Sequence, residues 1–302
     1  MSTRLSCKDL LVGSVNWLYY NSYLTAIRPA AILLSMMIIN GDTINIPVLA
    51  IAFLLTLIVY SYDRFSGLKE DLLTNPERSE LLIRKKKYYP YYLATCIGIL
   101  AVLVVFFMKA ELLNVAIFIG VLAIIGILYS IVLKNLTKYI PAFKSIVVAL
   151  EWGAATAVLY GFTYHSYSSV LVILFAAFVF LKMFILTVFF DVKDTESDAK
   201  RGLKTVPVML GHNYTLRLLT ILTILSWAPL VAGTFLFGQS KLLLILIPFS
   251  AFVFVAISTK KSYHGKPSNF DLLVSLEYLF WPAGIVVVAA IGNLLNDLPA
   301  AI

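Results

Sequence analysis

Apolar runs of about 20 residues follow one another along most of this chain. Polar stretches between them are short, except near 64–88 and 191–214. A run of that length as a helix matches a hydrocarbon core of about 30 Å, so each reads as a membrane span. The pattern predicts nine spans, near 22–41, 45–63, 89–108, 113–133, 143–163, 168–190, 215–237, 240–258 and 271–292. The runs lack the ten-residue alternation of an outer-membrane barrel, which excludes that class. The expectation is an all-α integral membrane protein, with about nine transmembrane helices in one bundle and residues 1–302 forming a single domain. The two longer polar stretches should form short helices or ordered caps on one face.

Composition agrees. With 61% hydrophobic and 13% charged residues, a chain of 302 residues could not bury its apolar surface as a soluble domain. The net charge of +8 would suit nucleic acid if it were spread over one surface, but it is not. With the N-terminus inside, 20 of the 24 Lys and Arg fall on the cytoplasmic side, against Lys109 and Lys241 outside and Arg28 and Lys182 within spans. That asymmetry is the positive-inside signature and places both long polar stretches in the cytoplasm. No nucleic-acid partner is expected. Trp17, Tyr19, Tyr20 and Tyr23 form an interfacial aromatic belt before the first span. Residues 10–20 are too polar for the apolar core of a cleavable signal. Cys7, Cys96 and the scattered His165, His212 and His264 form no metal or redox motif.

The acids are where the chemistry concentrates. Of 16 Asp and Glu, nine lie in two clusters: Asp63, Glu70, Asp71, Glu77 and Glu80, then Asp191, Asp194, Glu196 and Asp198. Each cluster directly follows an apolar run, and the first Asp of one is 128 residues from the first of the other. This layout suggests two four-helix halves with a ninth span added. If the second helix continues beyond Asp63, then Asp63, Gly67 and Asp71 share one face. Asp191, Asp194 and Asp198 do so at the end of the sixth span. Carboxylates at helix ends with Lys and Arg interleaved suit Mg²⁺ bridging to a phosphate. The plainer alternative is solvated loop acids balancing nearby cations.

These residues resemble the UbiA-type intramembrane prenyltransferase superfamily. The second cluster carries the likeness most strongly: Asp191, Asp194 and Asp198, then Gly202, Lys204 and Thr205, then Leu210-Gly211. The first is similar but departs, with Asp63 where the family has Asn, Gly67 where it has Asp, Asp71 matching, and Asn75-Pro76 and Arg78 one residue late. Arg28-Pro29, Tyr129-Ser130, Leu133-Lys134 and Lys144 also resemble the family pattern. The resemblance implies an isoprenoid diphosphate held by Mg²⁺ at the cytoplasmic mouth of the bundle. Its prenyl group would pass to a lipophilic, often aromatic, acceptor within the membrane. On that reading the catalytic carboxylates and metal ligands are Asp63, Asp71, Asp191, Asp194 and Asp198, with Glu70 a further ligand. Arg64, Lys144 and Lys204 would contact phosphate, with Arg78 and Lys200 behind them, although topology alone would also explain these cations. Tyr129 and Glu151 are the remaining substrate-binding candidates.

A prenyl cation needs a dry, aromatic-lined cavity. Tyr60, Tyr62, Tyr129 and Tyr160 stand near plausible channel positions, though each taken singly reads first as packing or belt. Glu151, Lys182 and Glu277 lie within spans, where a charge is functional by default. The alternative is an ion pair of Lys182 with Glu151 or Glu277 that pins the bundle. Two rival functions remain open from the sequence. One is a terpene cyclase of the same fold, acting on a prenyl diphosphate alone. The other is a transporter or lipid-binding protein, disfavoured because the acids crowd one membrane face rather than the midplane.

Overall fold

The computed structural model describes residues 17–68, 72, 76–166, 169–259 and 269–296. Among the described residues every regular element is helical. Within hydrocarbon no water is present to satisfy exposed peptide groups, so helices close their own hydrogen bonds. In order they are α1 (Tyr23–Asn40), α2 (Ile46–Ser66), α3 (Pro76–Lys85), α4 (Tyr89–Phe107), α5 (Leu112–Ile131), α6 (Phe143–Tyr164), α7 (Val170–Asp191), α8 (Thr195–Lys200), α9 (Val206–Leu225), α10 (Ala228–Phe235), α11 (Leu246–Thr259) and α12 (Asn269–Asn296).

Seven helical stretches among the described residues are long and apolar enough to cross a membrane, the last running Val206–Phe235. The eighth and ninth expected spans fall on shorter apolar helical stretches, Lys241–Ala251 and Leu276–Gly292. The chain is therefore an integral, multi-pass membrane protein. One boundary needs correcting. The seventh span was expected from 215, but its helix begins at Val206, with Pro207 in the first turn, and bends at Gly211 (φ 74°, ψ 170°). The polar residues His212 and Asn213 hid that first segment from a hydropathy reading.

The helix pairings close into a ring. α12 packs on α1, α1 on α2, α2 on α4 and α5, α5 on α6, α6 on α7, α7 on α9 and α10, α9 on α11, and α11 on α12. α1 and α7 supply much of the core, through Ile32, Leu33, Met36, Met37, Phe175, Phe178 and Val179. α4 and α5 lie at the periphery and turn Ile97, Val102, Phe106, Ile117, Val121 and Ile124 outward, as lipid-facing helices do. Small residues set the closest approaches. A Cβ on Gly153 would meet the Ala176 carbonyl at 3.1 Å, which lets α6 lie directly on α7. One on Gly126 would meet Val59 at 2.8 Å.

One end of the bundle gathers the C-terminus of α2, the N-terminus of α6 and the C-terminus of α7. At the other end Tyr160, on the last turns of α6, donates to Asp42, and Asn40 reaches Tyr160 Oη at 2.9 Å. Tyr160 thus tethers the turn between α1 and α2. It stands at the end remote from the acidic motifs, not beside them.

Candidate active site

The first acidic motif starts on the last turns of α2. Asp63 is half-buried, and its carbonyl accepts from Gly67 N at 2.8 Å and Ser66 Oγ at 3.0 Å. The helix stops at Ser66, with Gly67 as its cap, so the expected continuation beyond Asp63 is not seen at Gly67. Gly67 caps the end at φ −85°, a backbone angle open to any residue. Arg64 is buried, and its Nη1 donates to the carbonyls of Tyr19 and Tyr20 at 3.0 and 2.9 Å. A guanidinium there donates to two backbone carbonyls at once, so Arg64 ties residues 19 and 20 to α2. Phe65 stacks on Tyr89 at 5.0 Å, and Tyr89 Oη donates to the Ser61 carbonyl at 3.0 Å. Glu70 and Asp71 lie outside the described residues, as does the side chain of Arg78 on α3.

The second motif breaks into two elements. α7 ends at Asp191, a turn follows, and Asp194 stands at the N-cap position of α8. The expected single helical face is thus replaced by a helix–turn–helix. Asp191 and Asp198 still converge, because both reach Lys144. Its Nζ lies 3.0 Å from Asp191 Oδ1 and 2.8 Å from Asp198 Oδ2. Ser145 Oγ donates to Asp191 Oδ2 at 3.1 Å. Both carboxylates are largely buried, so the ammonium compensates two charges that would otherwise repel at close quarters.

The backbone holds this arrangement from both sides. The chain leaves α8 through a Schellman turn: Leu203 N donates to the Asp198 carbonyl at 2.9 Å, and Gly202 N to Ala199 at 3.0 Å. Gly202 sits at φ 70°, where a side chain would be strained. Lys204 N then donates to the Thr137 carbonyl, and its own carbonyl accepts from Ala142 N, both at 2.9 Å. Thr137 Oγ1 accepts from Lys144 N at 3.1 Å. Through these bonds the 3₁₀ turn Leu133–Lys138 fixes Lys144 against the second motif. The Lys200 and Lys204 side chains are exposed at the same end and free to reach solvent-borne anions.

Tyr129, near the end of α5, lies within electrostatic reach of Lys144, Asp63 and Asp191 together. Residues of both motifs, far apart in sequence, are thus near Tyr129. Among the described residues no three His, Cys, Asp or Glu side chains form a metal-ligand group by themselves. Two carboxylates on a shared cation are nonetheless the donor set that a hard divalent ion takes when phosphate and water complete its shell.

A model of the UbiA prenyltransferase family matches residues 30–281. The chain belongs to the UbiA prenyltransferase family. Among solved structures, the fold is similar to an apo UbiA homolog from Aeropyrum pernix K1. That match has 17% identity and a TM-score of 0.66, covering 88% of this chain and 98% of the other. A UbiA homolog from Archaeoglobus fulgidus bound to GPP and Mg²⁺ matches at 17% identity and a TM-score of 0.60, covering 90% of this chain and 99% of that one. A structure described as digeranylgeranylglyceryl phosphate synthase in membranes matches at 18% identity and a TM-score of 0.54, over 90% and 95%. At these identities the likeness establishes the fold. No curated protein sequence matches this chain significantly.

In this UbiA-family chain, Ser145 and Thr137 contact Asp191 and Lys144 of the candidate site, and sequence reading missed both. Ser145 is adjacent to Lys144, and that adjacency was its available signal. Thr137 had none, since its role depends on a contact with Lys204 across 67 residues. Deeper in the bundle, Lys182 Nζ lies 2.9 Å from Glu277 Oε1, and Trp281 Nε1 donates to the same oxygen at 3.3 Å. The buried lysine therefore pairs with Glu277, not with Glu151. Glu151 instead lines a cavity with Tyr60 and Trp152.

Proposed function

We propose that this protein is a Mg²⁺-dependent intramembrane prenyltransferase. It moves a prenyl group from an isoprenoid diphosphate to a lipophilic acceptor, with the site on the cytoplasmic face. The observation that carries the reading is the convergence of Asp191 and Asp198 on Lys144, with Asp63 and Asp191 both near Tyr129. Family membership and a fold shared with a homolog that binds GPP and Mg²⁺ support it. Asp63, Asp191, Asp194 and Asp198 would hold the metal, with Glu70 and Asp71 adjoining. Bound there, Mg²⁺ supplies positive charge against the negative charge that builds on the departing diphosphate.

The chain's own residues supply the rest. Lys144, set at the base of the site, offers its ammonium to the diphosphate oxygens. Lys200 and Lys204, with Arg78, add positive potential at the entrance. Tyr129 and Tyr60, near the ends of α5 and α2, would offer aromatic rings to an allylic cation formed when the C–O bond breaks. The surrounding apolar helices exclude water, which would otherwise quench that cation.

The test is incubation of the reconstituted protein with prenyl diphosphates of several chain lengths, with and without a membrane lipid extract, in Mg²⁺ or excess chelator. Mass spectrometry should find a prenylated lipid and equimolar pyrophosphate only with Mg²⁺ and extract together. A cyclic or rearranged hydrocarbon formed without extract would identify a cyclase instead. No Mg²⁺-dependent pyrophosphate release from any diphosphate would overturn the proposal.

A further inference from the structure

The turn between α3 and α4 carries four consecutive cations, Arg84, Lys85, Lys86 and Lys87. Topology asks for cations on one side of the membrane, but it does not ask for a cluster without partners. Lys85 has partners. Its Nζ lies 3.1 Å from Asn21 Oδ1 and 5.7 Å from the centre of the Trp17 ring. Arg84, Lys86 and Lys87 are exposed. Among the described residues none of the three meets an acid, not even Glu80, one turn before Arg84 on α3.

The backbone beneath them is fixed at both ends. Ser79 and Leu82 of α3 are buried. α4 begins at Tyr89, which is buried, stacks on Phe65 at 5.0 Å and donates to the Ser61 carbonyl at 3.0 Å. Between these anchors Lys86 N donates to the Ile83 carbonyl at 3.2 Å, and Tyr88 N to that of Lys85 at 2.9 Å. A partner of the three cations would therefore order side chains only, not chain.

The partner's chemistry follows from the place. α4 is apolar enough to cross the membrane from Tyr89 onward, so residues 84–88 stand at headgroup depth. Tyr88 and Tyr91 are 67% and 73% exposed, as aromatic residues of the interface are. Further along α4, Ile97, Val102 and Phe106 are exposed to lipid. We infer that this turn binds an anionic glycerophospholipid, its phosphodiester among Arg84, Lys86 and Lys87 and its acyl chains along the outer face of α4. A zwitterionic lipid carries its own ammonium, which cancels the attraction. A soluble anion lacks the chains and meets only exposed, well-solvated cations, which hold it weakly. Each cation near an anionic membrane surface contributes about fivefold in affinity.

The test is native mass spectrometry of the full-length protein in detergent, titrated with phosphatidylglycerol or phosphatidylcholine. The parent should hold phosphatidylglycerol at least about tenfold more tightly, from two or more of the cations acting together. Arg84→Gln/Lys86→Gln/Lys87→Gln should bring the two lipids within about twofold, and should melt with the parent in lipid-free detergent because no contact within the fold is lost. Lys109→Gln/Lys138→Gln/Lys241→Gln removes equal charge from other exposed positions and should keep the preference. Photoactivatable phosphatidylglycerol should crosslink to residues of the turn or of α4. The inference is overturned by a parent without preference, by a turn variant that keeps it, or by an equal loss in the control variant. Crosslinks confined to other helices overturn it too. Displacement of the lipid by millimolar glycerol 3-phosphate would show that a soluble anion suffices, and would overturn the choice of a lipid.

Discussion

Lys144 and Asp198 meet at 2.8 Å, and the same ammonium stands 3.0 Å from Asp191. One cation thus holds together two buried carboxylates from either side of a turn. Without it they would face each other across a poorly solvated gap. Lys144→Met should therefore destabilise the protein by about 3–5 kcal/mol in chelator, the usual cost of breaking a buried pair. Millimolar Mg²⁺ should raise the melting temperature of Lys144→Met more than that of the parent, because the freed carboxylates accept the ion. An equal rise in both proteins would separate Lys144 from the metal site.

The Lys182–Glu277 pair, 2.9 Å apart and 1% and 2% exposed, pins α7 to α12. Removing one partner strands the other. Lys182→Met and Glu277→Leu should each cost about 3–5 kcal/mol, whereas the double variant should recover most of the loss. Thermal or denaturant unfolding of all four proteins in one detergent measures this. Additive losses in the double variant would show that the two residues act separately.

Gly67 and Gly202 should respond in the opposite order to their crowding. An alanine Cβ at Gly67 would stand 3.2 Å from the Asp63 carbonyl, but the backbone angle there is ordinary. At Gly202 nothing lies within 4 Å, yet φ is +70°. Gly202→Ala should cost about 1–2 kcal/mol from the left-handed backbone, and Gly67→Ala less. The comparison is made by melting temperature. A larger loss at Gly67 would mean that its close contact governs that turn.

The charge asymmetry predicts that Glu196 and Lys109 face opposite sides of the membrane. Both side chains are exposed at helix ends. In a background lacking Cys7 and Cys96, a cysteine at 196 should label from the cytoplasm and one at 109 from outside. Labelling of both from a single side would contradict the orientation.

Hydropathy and charge in the sequence determined that this chain is a helical membrane protein with acids gathered at one face. Each span must satisfy its own backbone in lipid, and each loop's cations are sorted during insertion, so both signals are local and readable residue by residue. The seventh span was misjudged where His212 and Asn213 sit in a helix that bends at Gly211, because a window average cannot see a kink. Asp191, Asp194 and Asp198 could be picked out as candidates from their types and spacing. Their geometry could not: periodicity put them on one helical face, while the structure breaks the helix and rejoins Asp191 to Asp198 through Lys144. Tertiary structure alone decided that Lys182 takes Glu277 and leaves Glu151 facing a cavity, and that Thr137 braces Lys144. Such choices depend on which helices become neighbours, and a buried charge finds its partner by distance in space, which sequence separation does not encode.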